Sequence, residues 1–147
     1  MEKEFIIEFV PYELAAKLKE LGFDEPCLGY YDGNHNLQYM FNGYPESFSK
    51  RMMGVSDSVW VGWISAPTFS QAFRWFREKQ AIEGFIHKAI EGTYYFVIKR
   101  LGNNENNMYE FITNAPKNVD TYEEAELACL EKLIEIVEQN EFSKKSN

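Results

Sequence analysis

The chain is organised around one helix-forming stretch, Ala66-Pro67-Thr68-Phe69-Ser70-Gln71-Ala72-Phe73-Arg74-Trp75-Phe76-Arg77-Glu78-Lys79. At its start, Thr68 and Gln71 have the spacing of a capping box. In that motif the Thr68 side chain accepts a hydrogen bond from the amide of Gln71, and the Gln71 side chain bonds back to the amide of Thr68. Apolar side chains then recur at the spacing of one helix face: Phe69, Ala72, Phe73 and Phe76. The stretch is therefore predicted to be a core helix, not an active site.

A second helix is predicted near the N-terminus. Pro11 suits the first helical position, where an amide hydrogen is not needed. Leu14 and Leu18 then lie on one side of the helix. Gly22 is expected to adopt the left-handed conformation that ends a helix, with Phe23 packing back on Leu18.

A third helix is predicted at the C-terminal end. Thr121 and Glu124 repeat the capping-box spacing seen at Thr68. A broad apolar face follows, centred on Tyr122, Ala125, Cys129, Leu133 and Ile136. Residues 141–147 are expected to form a frayed tail.

This last helix holds most of the net charge of the chain. Between Asp120 and Glu141 there are eight acidic residues and one basic residue, Lys132, so the window carries −7 of a total of −8. The simpler interpretation of such a run is a solvent-exposed helix face. The alternative is that the helix is an acidic decoy that imitates nucleic acid. Because the sequence has no basic stripe, direct nucleic-acid binding is not expected.

Strand-like segments lie between the predicted helices. They are rich in β-branched and aromatic residues and are separated by turn residues: 27–31, 37–41, 85–90, 93–99 and 108–112. The predicted fold is α+β, with three amphipathic helices on a mainly antiparallel, twisted sheet in the order α-β-β-α-β-β-β-α. The repeated capped helix, at Thr68 and again at Thr121, hints at an internal duplication. We expect one domain over residues 1–147, with an irregular insertion or loop at 42–64.

Composition indicates a globular protein with a large aromatic core. The chain has 147 residues, of which 45% are hydrophobic, 26% charged and 16% aromatic. Cys27 and Cys129 are too few for a disulfide framework and are expected to be small core residues in a reducing compartment. The start lacks the pattern of a signal peptide, and no apolar run is long enough to span a bilayer. A soluble, cytoplasmic protein is expected.

Three blocks of sequence carry a resemblance to a known family. They are Tyr12-Glu13-Leu14-Ala15 with 17–27, Ala66-Pro67-Thr68 with 71–79, and Tyr122-Glu123-Glu124-Ala125 continuing to Ile134. In these blocks the chain resembles a family of small uncharacterised proteins found in gut-bacterial genomes, prophages and other mobile elements. The resemblance implies a phage-related genomic setting. It implies no activity, cofactor or catalytic residue.

The residues themselves predict no catalytic or metal site. The candidate ligands His35, His87, Cys27 and Cys129 do not occur at paired metal-ligand spacing. No nucleophile elbow, phosphate loop or dinucleotide-binding glycine pattern is present. His35 is expected on the surface of a turn, and His87 half-buried in a strand. No cofactor is predicted.

Two sets of mainly aromatic residues remain as candidate sites. The first is a binding surface in the irregular segment: Tyr44, Phe48, Met52, Trp60 and Trp63. The second is a pocket between sheet and helices: Tyr30, Tyr39, Trp75 and Tyr95. The first set predicts a non-enzymatic binding or adaptor protein that contacts a protein partner or a second copy of itself. The second predicts a small-molecule-binding protein or enzyme.

Overall fold

The computed structural model describes residues 8–39, 63–101, 109–114 and 117–146. Within these residues the elements are α1 (Tyr12–Glu20), β1 (Gly29–Tyr31), β2 (Leu37–Tyr39), β3 (Ile64–Ala66), α2 (Phe69–Lys79), β4 (Ile82–Lys88), β5 (Tyr94–Leu101), β6 (Tyr109–Asn114) and α3 (Tyr122–Lys145). The predicted α+β class and the three helices are confirmed. The short strand β3 is an addition to the predicted order.

The strands form two antiparallel sheets instead of the single sheet predicted. In the described residues the strand orders are β2-β1-β3 and β4-β5-β6. The prediction of one sheet was wrong because sequence periodicity identifies strands without identifying their partners. In the first sheet the central strand is β1, which comes first in the sequence of that sheet. In the second sheet the central strand is β5, which comes second. The strand orders therefore do not support a duplicated unit.

The chain divides into two compact units, Met1–Gln71 and Ala72–Asn147. A single domain over residues 1–147 stays a prediction. Among the described residues, no helix has both the length and the apolar character that crossing a bilayer requires.

In the first unit, α1 ends as the sequence predicts. Gly22 has a φ of 95°, and its amide donates to the carbonyl of Lys19 at 3.0 Å. The amide of Phe23 donates to the carbonyl of Leu18 at 2.9 Å. These two bonds satisfy carbonyls that a helix end would otherwise leave without partners. Leu18 and Phe23 are both buried, so the cap also contributes to the core.

The hairpin between β1 and β2 depends on the side chain of Asp32. Its Oδ1 accepts hydrogen bonds from the amides of Asn34 at 2.8 Å and Asn36 at 3.0 Å. These bonds hold the pKa of the Asp32 carboxyl below its usual value. His35 lies at the tip with a φ of 65°. The predicted hairpin is confirmed, and polar turn chemistry explains it.

The start of α2 confirms half of its predicted capping box. The amide of Gln71 donates to Thr68 Oγ1 at 3.2 Å. The Gln71 side chain, however, donates through Nε2 to the carbonyl of Pro26 at 2.6 Å. The reciprocal bond to the Thr68 amide was therefore a wrong prediction. Folding brings the carbonyl of Pro26 beside the helix start. The Gln71 side chain therefore bonds to an acceptor that is distant in sequence.

The second unit packs helices against one face of the sheet β4-β5-β6. Gly84 on β4 lies against Cys129 and Leu133 of α3 and against Phe73 of α2. Directly opposite Gly84 on β5 is Ile98, which is fully buried. β5 has a strand on each side, as predicted for an interior strand. The face that contains Gly84 is thus the core side of this sheet.

The capping box of α3 is complete. The amide of Glu124 donates to Thr121 Oγ1 at 3.2 Å, and the amide of Thr121 donates to a Glu124 carboxylate oxygen at 3.1 Å. The helix runs to Lys145, so the prediction of a frayed tail was wrong for residues 141–145. Lys144 and Lys145 lie in the last turn, where positive charge favours the helix.

Candidate functional site

The face of the second sheet opposite the helices carries a group of aromatic and charged side chains. Antiparallel register places Glu83 opposite Lys99, Phe85 opposite Val97, and His87 opposite Tyr95. Residues directly opposite each other point to the same side of a sheet, and successive residues alternate. Since Gly84 and Ile98 face the helices, these pairs face away from them. We call this surface the aromatic face: Glu83, Phe85, His87, Tyr95, Val97 and Lys99.

Its aromatic rings contact one another across and along the strands. The rings of His87 and Tyr95 are stacked, with centroids 5.3 Å apart and planes 22° apart. Phe85 lies 6.4 Å from His87. Lys99 Nζ lies 5.6 Å from the centroid of the Phe85 ring, a cation–π geometry. His87 is exposed, while Phe85 and Tyr95 are half-buried. These three rings form an aromatic patch, and the polar atoms of His87 and Tyr95 lie at its edge.

Charged side chains of both signs lie at this patch. Arg77 of α2 lies 3.6 Å from the Glu83 carboxylate, and Lys99 lies opposite Glu83 on β5. The residues that define the aromatic face thus include one acid and one base, whereas the chain as a whole carries −8.

Most of the predicted binding surface lies outside the described residues. This applies to Tyr44, Phe48, Met52 and Trp60. Trp63 is described, is half-buried, and stacks on Tyr30 with ring centroids 4.7 Å apart and planes 11° apart. Its carbonyl accepts a hydrogen bond from Lys19 Nζ at 3.4 Å. Trp63 therefore packs against its own unit, and the surface built from the other four residues stays a prediction.

The residues of the predicted pocket are not gathered by either sheet. Tyr30 pairs with Gln38, and Tyr39 pairs with Gly29. Because successive residues alternate, Tyr30 and Tyr39 lie on opposite faces of the first sheet. In the second unit, Trp75 is only 3% exposed, and Tyr95 belongs to the aromatic face. The pocket stays a prediction, and these placements do not favour it.

Both cysteines are buried, as the sequence predicts for core residues. The pKa of the Cys27 thiol is raised to about 12, mainly by burial and in smaller part by the charge of Glu25, while the Gln71 side chain opposes the shift. Burial also raises the pKa of Cys129 to about 12, with a smaller contribution from Glu126. Nucleophilic attack requires the thiolate. At neutral pH both thiols are protonated, so neither is suited to that chemistry.

The two histidines are both exposed. His35 lies in the hairpin turn, as predicted, and stacks on Tyr12 with ring centroids 3.7 Å apart. His87 was predicted to be half-buried, which was wrong, because it lies on the face of the sheet opposite the one that Gly84 presents to α2 and α3. Within the described part of the chain, no group of three or more His, Cys, Asp or Glu side chains is placed to hold a metal ion.

Sequence reasoning did not assign Phe85 and His87 to a binding surface. The signal that could have done so is the turn at Glu91-Gly92. Gly92 has a φ of 92°, and the amide of Ala89 donates to the carbonyl of Thr93 at 2.8 Å. Counting back from such a turn fixes the register of the hairpin. That register places the aromatic rings of both strands on one face.

Comparison with known proteins leaves the function to be argued from this geometry. No family model, curated protein or solved structure matches the chain. The resemblance to small proteins of gut-bacterial genomes and mobile elements stays a prediction.

Proposed function

We propose that this chain is a small, soluble, cytoplasmic and non-enzymatic binding or adaptor protein that contacts a protein partner through its aromatic face. The observation that carries the proposal is the stack of His87 on Tyr95, with Phe85 beside it, on the sheet face opposite the helices. The resemblance to mobile-element proteins supports a phage-related setting for this role.

A patch of aromatic side chains has physical properties that suit it to a protein interface. Aromatic side chains bury a large area and lose little conformational freedom, because they have few rotatable bonds. Tyr95 and His87 add polar atoms that can form hydrogen bonds at the edge of the contact. Tyrosine is among the residue types that dominate the binding energy of interfaces. The aromatic face combines these properties on a regular sheet, which holds the rings in fixed positions.

The buried thiols support a non-enzymatic role by one specific argument. Thiolates are strong nucleophiles, but burial keeps the thiols of Cys27 and Cys129 in the protonated form at neutral pH. The aromatic residues of segment 42–64 stay a separate candidate contact surface under the same proposal.

The test is affinity capture from the native host with matched variants. The variant His87→Ser/Tyr95→Ser removes the stacked pair without changing the core side of the sheet. The control Tyr39→Ser removes an aromatic residue of the first unit that is 61% exposed. We expect a captured protein, identified by mass spectrometry, to be lost with the double variant and retained with the control. Equal recovery by wild type, variant and control would contradict the proposal.

A further inference from the structure

In the part of the chain that the structure describes, strand β4 is an edge strand of its sheet, with one side of its backbone unpaired. Among the described residues its only strand neighbour is β5. Both backbone groups of Tyr94 bond to Val119, on the side of β5 away from β4, at 2.8 Å. Lys88 is the β4 residue opposite Tyr94, so it does not exchange hydrogen bonds with β5. Because bonding alternates along an antiparallel pair, the backbone groups of Gly84 and Ile86 also point away from β5.

The middle of this edge lacks the devices that usually prevent pairing, and the charged residues Glu83 and Lys88 lie toward its two ends. It is seven residues long, contains no proline, and keeps a continuous register with β5. Natural edge strands are commonly short, bulged or interrupted by proline or charge. Here the middle of the strand is Gly84-Phe85-Ile86, and Lys88 stands at its end. In the described part of the chain, no hydrogen bond is made to the outward amides and carbonyls of β4.

We propose that β4 pairs antiparallel with β4 of a second copy of this chain, about a twofold axis at Phe85. The inference rests on the proposed function, because it takes the aromatic face as part of a contact surface and names one partner for it. Such a contact is isologous, since each copy presents the same strand. It would join two three-stranded sheets into one continuous sheet.

The sequence of β4 is complementary to itself in this register. Phe85 lies opposite Phe85 of the second copy, and Glu83 lies opposite His87 of the second copy. Aromatic pairs across strands stabilise sheets, and the carboxylate of Glu83 can accept a hydrogen bond from an imidazole N–H of His87. On the other side, Gly84 lies opposite Ile86 of the second copy. Both present outward backbone groups, so this pair exchanges the new hydrogen bonds.

Neighbouring registers lose this complementarity. Centring the pair on Gly84 places Glu83 opposite Phe85 of the second copy and leaves His87 beyond the paired region. Centring it on Ile86 places Phe85 opposite His87 of the second copy and moves Glu83 past the end of the strand. Only the register centred on Phe85 pairs the acid with the base and uses the full strand.

The test uses the full chain and its sedimentation over a series of concentrations. We expect the wild type to dimerise reversibly. Phe85→Lys and Phe85→Glu each place like charges opposite each other at the axis, and each should weaken dimerisation by about tenfold. An equimolar mixture of the two variants should restore dimers, because Lys then lies opposite Glu. The matched pair Tyr39→Lys and Tyr39→Glu should dimerise as the wild type does.

A second variant tests the pairing independently, in case substitution of Phe85 prevents the chain from folding. Lys88→Pro removes an amide that faces away from β5, a position where edge strands tolerate proline. It should weaken dimerisation while its thermal unfolding stays close to that of the wild type. A wild type that remains monomeric throughout, or a mixture of the Phe85 variants that stays monomeric, would overturn the proposal.

The two proposals fail in different ways. A monomeric wild type whose captured partner is lost with His87→Ser/Tyr95→Ser contradicts the pairing of β4 and leaves the binding function standing. A dimeric wild type whose captured partner is retained by that variant contradicts the binding function and leaves the pairing standing.

Discussion

Gly84 on β4 and Cys129 on α3 approach so closely that a methyl group on Gly84 would lie 2.5 Å from the Cys129 sulfur. It would also lie 2.9 Å from the ring of Phe73 and 3.3 Å from Leu133. The missing side chain at Gly84 is therefore what lets α3 lie directly on the sheet. By fixing the core side of the sheet, this contact determines which residues of β4 and β5 form the aromatic face.

Gly84→Ala is expected to lower the free energy of unfolding by about 1–3 kcal/mol, as for other overpacked cores. Urea unfolding measures the change. Combining it with Cys129→Ala should recover part of the loss, because the sulfur is the nearest obstacle. A Gly84→Ala variant as stable as the wild type would show that α3 does not pack this closely.

Ala81→Gly is expected to raise the free energy of unfolding by about 1 kcal/mol. Ala81 follows α2 with a φ of 52°, a left-handed conformation that costs a residue with a Cβ about that much. The matched control is Ala72→Gly in the interior of α2, where glycine should instead be destabilising. Thermal unfolding of both variants checks the sign. A loss of stability with Ala81→Gly would contradict the assigned helix end.

Thr121→Ala is expected to destabilise the second unit by about 0.5–2 kcal/mol, the usual range for loss of a helix cap. The Thr121 side chain accepts a hydrogen bond from the amide of Glu124 at this helix start. Thr121→Ser keeps the hydroxyl and should remain near the wild type. The measurement is chemical denaturation followed by far-UV circular dichroism. Equal stability of the Ala and Ser variants would contradict the cap.

Stability should decrease at alkaline pH because of the two buried thiols. Their folded pKa values are raised from 9.0 to about 12. Above pH 9 the unfolded thiols release protons that the folded thiols retain, so the free energy of unfolding falls as pH rises through this window. The control Cys27→Ala/Cys129→Ala lacks this contribution. Urea unfolding between pH 7 and 10 should therefore show a steeper decrease in the wild type. Parallel pH dependences would contradict protonated, buried thiols.

Local features of the fold were predictable because their signals lie within a few residues. The cap at Gly22 needs only the sequence of α1 and Phe23, and the box at Thr121 needs only Glu124. The same local rule failed for the Gln71 side chain, because its partner is the carbonyl of Pro26, 45 residues away. A capping rule uses only local sequence spacing, so it does not include an acceptor that folding brings to the helix start.

The sheets were only partly predictable. Alternation identified the strands on both sides of Gly92, and β5 was correctly placed in the interior of a sheet. Which strands pair with each other depends on contacts between segments that are distant in sequence. For this reason one sheet was predicted where the structure has two. The aromatic face was missed for a related reason. Phe85 and Tyr95 belong to different strands, and they share a face only once the register of the hairpin is fixed.

The central claim is that the aromatic face is a binding surface, and the two histidines allow a direct test. Both are exposed: His87 lies on that face, and His35 lies in the hairpin turn of the first unit. Modification with diethylpyrocarbonate, read by mass spectrometry for each histidine, should be compared between the free chain and the captured complex. The account predicts that binding protects His87 and leaves His35 as reactive as before. Equal reactivity of His87 in the free and bound chains would contradict it.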